Sequence, residues 1–345
     1  MIVLVVGALF GAAGSLLVGC RPSSQAKSRS TTTAASSPFT GSPTSIAANP
    51  GQPMTAARAQ ALGANEMGEV PVLEYHILDT PEGTYTRSPE HFRGDIALLE
   101  SRGYYPITVR DLASGNIDIP AGKFPVVLTF DDGAKGQYRI LADGSLDPDC
   151  AVGIMQEAAK SGNWVQRASF YPLLDQLGSK RQEKLRNLVL WGYEVGSHTV
   201  THLNLKKASA LEATKELATS KAALEELIGG GYSVTSLALP FGAYPASDSV
   251  LAGGEYQGQS YAYTAALKVG GGPSVSPFSG AFVPLHINRI QVIGDALKNT
   301  LDNFQKHPEL RYVSDGDPTT VSAPKNLSAQ LGVMRSDLGR PVVRY

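Results

Sequence analysis

Val126-Val127-Leu128-Thr129-Phe130-Asp131-Asp132-Gly133 is an apolar run that ends in two adjacent carboxylates and a glycine. After Pro125, its consecutive apolar and β-branched residues suit a strand covered on both faces, as in a parallel sheet wrapped by helices. Neighbouring residues of a strand point to opposite faces. Asp131 and Asp132 can therefore share one pocket only where the strand stops and the chain turns, which Gly133 permits. Two readings of the tip stay open here. It is an Asp-Gly turn that caps a following helix, or a pair of acids delivered by a strand end for chemistry.

A second cluster bears on the choice. Gly196-Ser197-His198-Thr199-Val200-Thr201-His202 places two of the chain's six histidines four apart, the spacing that stacks side chains on one face of a helical turn. Alone, the pair reads equally well as a polar helix face. With a carboxylate from the strand end, two imidazoles make a two-histidine, one-carboxylate cation site that leaves room for water and substrate.

Thr129-Phe130-Asp131-Asp132-Gly133 followed by Ser197-His198-Thr199-x-Thr201-His202 resembles the first two motifs of the polysaccharide deacetylases, the NodB-homology domains of carbohydrate esterase family 4. The likeness runs from Val70 to about Ile293. Within it, Pro71-Val72-Leu73-Glu74-Tyr75-His76 resembles the opening strand of members acting on poly-N-acetylglucosamine, and Phe92 to Thr108 their first helix and Gly-Tyr strand. The resemblance implies an α/β fold, a distorted (β/α)7-type barrel with helices outside, with its chemistry at the C-terminal strand ends. It implies Asp132, His198 and His202 as ligands of one divalent metal and Asp131 as general base. Zn2+ suits the nitrogen and oxygen donors, and Co2+, Ni2+ or Fe2+ are compatible because affinity alone does not select among them. The implied partner is an N-acetylated glycan polymer, and the implied reaction is hydrolysis of its N-acetyl groups.

Three features depart from the family pattern. Its third motif, Arg-x-Pro-Tyr/Phe, reads Ala238-Leu239-Pro240-Phe241 here, so the arginine that orients the base is absent at Ala238. Arg289, in His286-Ile287-Asn288-Arg289-Ile290, either supplies the guanidinium from a neighbouring strand end or makes a surface ion pair. The Phe241 backbone N–H is available to an oxyanion. The last motif, Leu-x-His, is one residue short in Leu285-His286, so His286 is either the general acid or a histidine packed at a strand start. His76 either lines the pocket or is a hydrogen-bonded residue of the first strand. The tryptophan of the family's fourth motif is missing, which leaves Tyr244 or Leu285 to wall the acetyl pocket. The candidate site is thus catalytic Asp131, His286 and Arg289, metal ligands Asp132, His198 and His202, and pocket residues Phe241, Tyr244 and His76. His91 and His307 read as surface residues.

The remaining chain frames this site. Its 345 residues are 42% hydrophobic and 18% charged, enough for a sizeable core, and a net charge of −1 argues against nucleic acid and for neutral partners such as glycans. A monomer is expected. Residues 1–19 resemble a bacterial lipoprotein signal segment ending in Leu17-Val18-Gly19-Cys20, which implies export and a lipidated Cys20 on the outer face of a bacterial membrane. No Lys or Arg precedes the apolar run, and an uncleaved membrane helix is the other reading. Residues 20–68 read as a Ser/Thr/Pro-rich tether, with 56–68 either a short helix or more tether. The catalytic domain is set at 69–313 and a tail at 314–345, whose last residues, 342–345, either add a strand or fray. Cys150, the other cysteine, reads as a small buried hydrophobe.

Ser88-Pro89 is a helix start, and Ser179-x-x-Gln182 and Ser209-x-x-Glu212 are capping boxes. Strands are expected at Ser236–Leu239, Tyr261–Ala265 and Ile287–Ile293. Two functional alternatives accompany the deacetylase reading. One is a glycan-binding or scaffold lipoprotein that keeps the metal without catalysis. The other is a non-heme iron oxygenase, which would lack its usual His-x-Asp pair and leave Asp131 without a role.

Overall fold

The stretch at 126–133 lies at the end of a nine-residue strand in the computed structural model, which describes residues 53–134 and 136–345. Eight strands form the main sheet: β1 (Val72–Tyr75), β2 (Tyr104–Ile107), β3 (Phe124–Asp132), β4 (Ser169–Pro172), β5 (Glu194–Val195), β6 (Ser236–Ala238), β7 (Ala265–Gly271) and β8 (Ile287–Gln291). All pair in parallel, in the order β5-β4-β3-β1-β8-β7-β6, with β2 paired to the first half of β3. Ser197, just after β5, bridges Leu237 in β6. That contact nearly closes a barrel of seven strands, with the helices outside. The helices are α1 (Ala56–Leu62), α2 (Pro89–Ser101), α3 (Val109–Ser114), α4 (Ala151–Ala159), α5 (Arg181–Leu190), α6 (Ala210–Ile228), α7 (Ser249–Ala252) and α8 (Ala296–Lys306).

The strand alternation sorts the core into two faces. Val126, Leu128 and Phe130 pack with Phe92, Ile96 and Leu99 of α2, and Phe130 stacks between Tyr75 and Phe170 at 5.4 and 4.7 Å. Val127 packs instead with Val72, Ala238, Leu267 and Ile287 from the other strands, so it lies on the inner face. By the same period, Glu74 follows Val72, Asp131 follows Val127 and Thr129, and Arg289 follows Ile287 onto that inner face. Three adjacent strands therefore bring charged side chains into one end of the barrel.

Several expectations about local structure need correction. The capping box at Ser179 does not form. A turn begun at Gly178 (φ 71°) already brings Lys180 near helical geometry, so α5 starts at Arg181 without a side-chain cap. The box at Ser209 does form, with Glu212 N–H donating to Ser209 Oγ and Ser209 N–H to Glu212. The strand expected at 261–265 lies later, at β7, because Tyr261 and Tyr263 are turned away to donate to the Val250 and Leu217 carbonyls.

The domain edges also shift. Of the tether, residues 20–52, Cys20 among them, lie outside the described residues, as does the signal segment. Residues 56–62 are a helix capped by Thr55, and Met67 is buried in the core. The tail is likewise packed. Residues 321–323 pair with 342–344, and Val321, Ala323 and Leu331 are buried. Both segments look polar because their acids are buried rather than solvated: Glu66 accepts from the Asp315 and Ser322 N–H groups, and Asp315 from the Thr320 and Ser322 hydroxyls. Among the described residues no helix is long and apolar enough to cross a membrane. Cys150 is buried, and its sulfur caps α4.

Candidate active site

The acids at the tip of β3 are separated by backbone conformation. Asp131 ends on the inner face and is 1% exposed. Asp132 takes φ 71° and Gly133 φ 79°, left-handed geometry that Asp tolerates better than most residues. Such strained backbone concentrates at functional sites. At Gly133 a side chain would also meet Pro172, whose Cβ lies 2.9 Å from the position of an added Cβ. The turn carries Asp132 out over the strand ends toward the histidines, and the helix-cap reading falls, because the next described helix, α4, begins at Ala151 and is capped by Cys150.

His198 and His202 do come together, with ring centroids 4.8 Å apart, but not on a helix. Residues 198–204 are a loop in which Thr199 (φ 63°) and His202 (φ 58°) are left-handed. Glu216 of α6 holds that loop: its carboxylate accepts the Val200 and Thr201 N–H groups at 2.8 Å and the Thr201 hydroxyl at 3.1 Å. The His198 Nδ1 lies 2.8 Å from the Ala238 carbonyl. A carbonyl only accepts, so Nδ1 carries the proton and Nε2 presents its lone pair.

That Nε2 is buried and has no hydrogen-bond partner, an arrangement that costs about 1–3 kcal/mol unless something binds there. Asp132 Oδ1 lies 3.4 Å from His198 Nε2 and 3.7 Å from His202 Nε2. Tetrahedral zinc with bonds of about 2.0–2.1 Å separates its donors by roughly 3.3–3.4 Å. The three side chains fit a divalent cation with little adjustment. For His198, burial works against the imidazolium, but Asp132 and Asp131 outweigh it and raise its pKa; His202 is lowered, by partial burial and by His198. The field that raises His198 is the field that favours a cation.

Arg289 lies in the barrel rather than on the surface, which removes the surface ion-pair reading. Its side chain is fully buried. Nη1 and Nη2 each donate to one oxygen of Asp131 at 2.8 Å, Nη1 also reaches Thr129 Oγ1 at 3.2 Å, and Nε donates to the Lys268 carbonyl at 2.8 Å. Glu74 Oε2 stands 3.3 Å from Nε. Burial alone would raise both carboxyls. In Asp131 the guanidinium and His198 win and its pKa is lowered, whereas in Glu74 burial wins and its pKa is raised.

The outer residues frame this centre. His286 ends a 3-10 turn ahead of β8 rather than lying packed on a strand. Its Nε2 is 2.6 Å from Asp248, and its ring stacks on Tyr244 at 4.3 Å. Phe241 (φ 60°) is 62% exposed, with its ring 4.5 Å from His202. His76 follows β1, its Nε2 3.8 Å from Glu74 Oε1 and its ring against Tyr85. His91 and His307 are exposed.

Sequence reasoning missed Glu74, Gln137, Asp248 and Glu216. Gln137 ties the carbonyls of His76 and Asp131 together. A lone carboxylate inside the apolar run Val72–Tyr75 was the available signal for Glu74, since unpaired acids are almost never fully buried. Glu216 has no such signal, because a glutamate on a helix reads as surface.

The polysaccharide deacetylase family matches residues 118–253, a span that includes both aspartates and both histidines. The Bacillus subtilis protein YxkH, named provisionally as a polysaccharide deacetylase, is 22% identical over 184 residues, 51% of this chain and 58% of its own. The chain thus spans less than two thirds of that curated relative. Among solved structures, BC0361, a polysaccharide deacetylase from Bacillus cereus, shares the fold at a TM-score of 0.52 with 24% identity over 68% of each chain. IcaB from Ammonifex degensii does so at 0.52 with 22% identity, over 69% of this chain and 97% of its own. The family's match covers the strand that carries the aspartates and the loop that carries the histidines, so residues 118–253 are those of a polysaccharide deacetylase domain.

Proposed function

We propose that this protein is a metal-dependent hydrolase that removes N-acetyl groups from a polymer of N-acetylhexosamine. The observation that carries the reading is the pairing of two features one residue apart. Asp131 is a carboxylate gripped by a buried guanidinium, and Asp132 belongs to a triad with an unpartnered buried imidazole nitrogen. The name of BC0361 supports the same chemistry by likeness of fold.

In this reading Asp132, His198 and His202 hold the ion, with zinc the first choice and Co2+, Ni2+ or Fe2+ compatible. A cation so held lowers the pKa of water and polarises the acetamide carbonyl. Asp131 stands outside the triad and is free to take the proton of the attacking water, and Arg289 fixes the plane of its carboxylate. The Phe241 N–H is the donor we assign to the developing oxyanion. His286, oriented by Asp248 and by its stack on Tyr244, protonates the departing amine. Phe241, Tyr244 and His76 line the sugar's path. Attachment to the outer face of a bacterial membrane through Cys20 belongs to the same proposal, and labelled fatty acid should enter the parent chain and not Cys20→Ala.

Metal-loaded protein should release acetate from N-acetylglucosamine oligomers, and a chelator should stop it. Acetate release that survives complete metal removal would sink the metal assignment. No release from any N-acetylated or O-acetylated glycan by the loaded protein would favour a glycan-binding protein of the same fold.

A further inference from the structure

Two carboxylates share Arg289, and only Asp131 has a part in the reaction proposed above. We propose that the other, Glu74, is a positioning residue of that reaction: it anchors the Arg289 guanidinium from the Nε side and leaves the three-group array with a net negative charge. The inference rests on the deacetylase reading for its effect on turnover, though not for the contact itself.

The geometry is specific. Glu74 sits within β1, its side chain 1% exposed, where an unpaired charge is strongly disfavoured. Its Oε2 faces Arg289 Nε at 3.3 Å and the Gly270 N–H at 3.4 Å, while Oε1 has no hydrogen-bond partner. Nη1 and Nη2 donate to Asp131, the one Nε–H donates to the Lys268 carbonyl, and the Glu74 carboxylate pairs with that same edge by charge, so each edge of the guanidinium faces an oxygen. A planar fork held on all sides cannot swing away from Asp131. Charge balance points the same way. Arg289 with Asp131 alone would be a neutral pair, and Glu74 restores one negative charge beside the carboxylate that must accept a proton.

A second cation is the competing account, since Glu74, His76 and Asp131 bring possible ligand atoms within 4.8 Å of one another. Arg289 argues against it. The guanidinium already supplies the positive charge at this spot, and a metal ion against it would add like-charge repulsion in a dry interior.

Glu74→Gln keeps the shape and an oxygen beside Nε but removes the charge. It should lower kcat roughly ten- to a hundredfold, with KM within about twofold of the parent and metal content unchanged. Turnover within about twofold of the parent would overturn the proposal, as would a loss of turnover matched by loss of metal. If Glu74→Gln does not fold, Glu74→Asp, which withdraws the charge by one methylene, takes its place with the same expected and overturning results. A readout without turnover is the Nε–H signal of Arg289 in nitrogen-15 NMR, identified by its disappearance in Arg289→Lys. It should move upfield in Glu74→Gln, and an unmoved signal overturns the anchor. Failure of the parent to release acetate would instead strike the deacetylase reading, and the NMR signal then decides the anchor alone.

Discussion

At the scale of single residues, the hydrolase reading turns on Asp131. Replacing it by Asn keeps the volume and leaves Arg289 paired with Glu74, so the guanidinium is not stranded. Loss of a positioned general base costs about 10²–10⁴-fold in rate. Asp131→Asn should therefore lose turnover by that order while binding the same amount of metal. Turnover retained within a few-fold would place the base elsewhere. His198→Ala should behave differently, losing metal and activity together, because it removes the ligand nitrogen that has no other partner. Full metal occupancy in that variant, by elemental analysis, would refute the ligand assignment. These residues were legible because their spacing is chemical rather than structural: paired acids at a strand end, histidines four apart. Arg289 could be suspected only because Ala238 stands where an arginine was expected. Asp248 was hidden because nothing in a sequence says which acid a distant histidine will meet.

At the scale of elements, the His198–His202 loop shows where periodicity misled. Spacing by four fits one helical turn, yet here two left-handed residues, Thr199 and His202, fold the segment back so that both rings face Asp132. What holds this strained segment comes from another element, the Glu216 carboxylate of α6. Glu216→Ala would release three hydrogen bonds without touching a ligand. Loss of such outer support typically costs 10–100-fold in metal affinity. We expect that loss in a chelator competition assay, with far-UV circular dichroism unchanged. Affinity within about twofold of the parent would mean that the loop holds itself. The strands were read more reliably than the loop, because an apolar run buried on both faces has few other places to go. The exception, the shift from 261–265 to β7, came from two tyrosines whose hydroxyls are spent on outlying carbonyls.

At the scale of the whole molecule, the N- and C-terminal described segments are joined by buried acids, which sequence composition presented as polar linker and tail. Glu66 accepts from Tyr312 Oη and the Asp315 N–H on one oxygen and from the Ser322 N–H on the other. Burial first, and then the nearby Asp315 carboxylate, push its pKa up from 4.5 to about 8, against the pull of those hydrogen bonds. In the unfolded chain Glu66 returns to an ordinary carboxyl. Between pH 4.5 and 8 the folded state thus holds a proton that the unfolded state has released, and folding takes one up. The sign follows: this contribution is fully present below pH 4.5, falls as pH rises, and is gone once pH passes about 8. Its upper bound over the window is about 5 kcal/mol, at 1.36 kcal/mol for each pH unit. Glu66→Gln has no proton to take up. The difference in unfolding free energy between parent and Glu66→Gln, from urea titrations at about pH 5, 6.5 and 8, should therefore shift steadily against the parent as pH rises. Metal binding and the titrating groups remote from Glu66 are common to both proteins and cancel in that difference. A difference that stays flat across the window would mean that Glu66 is ionised in the fold and that the link between the two segments is held by its hydrogen bonds alone.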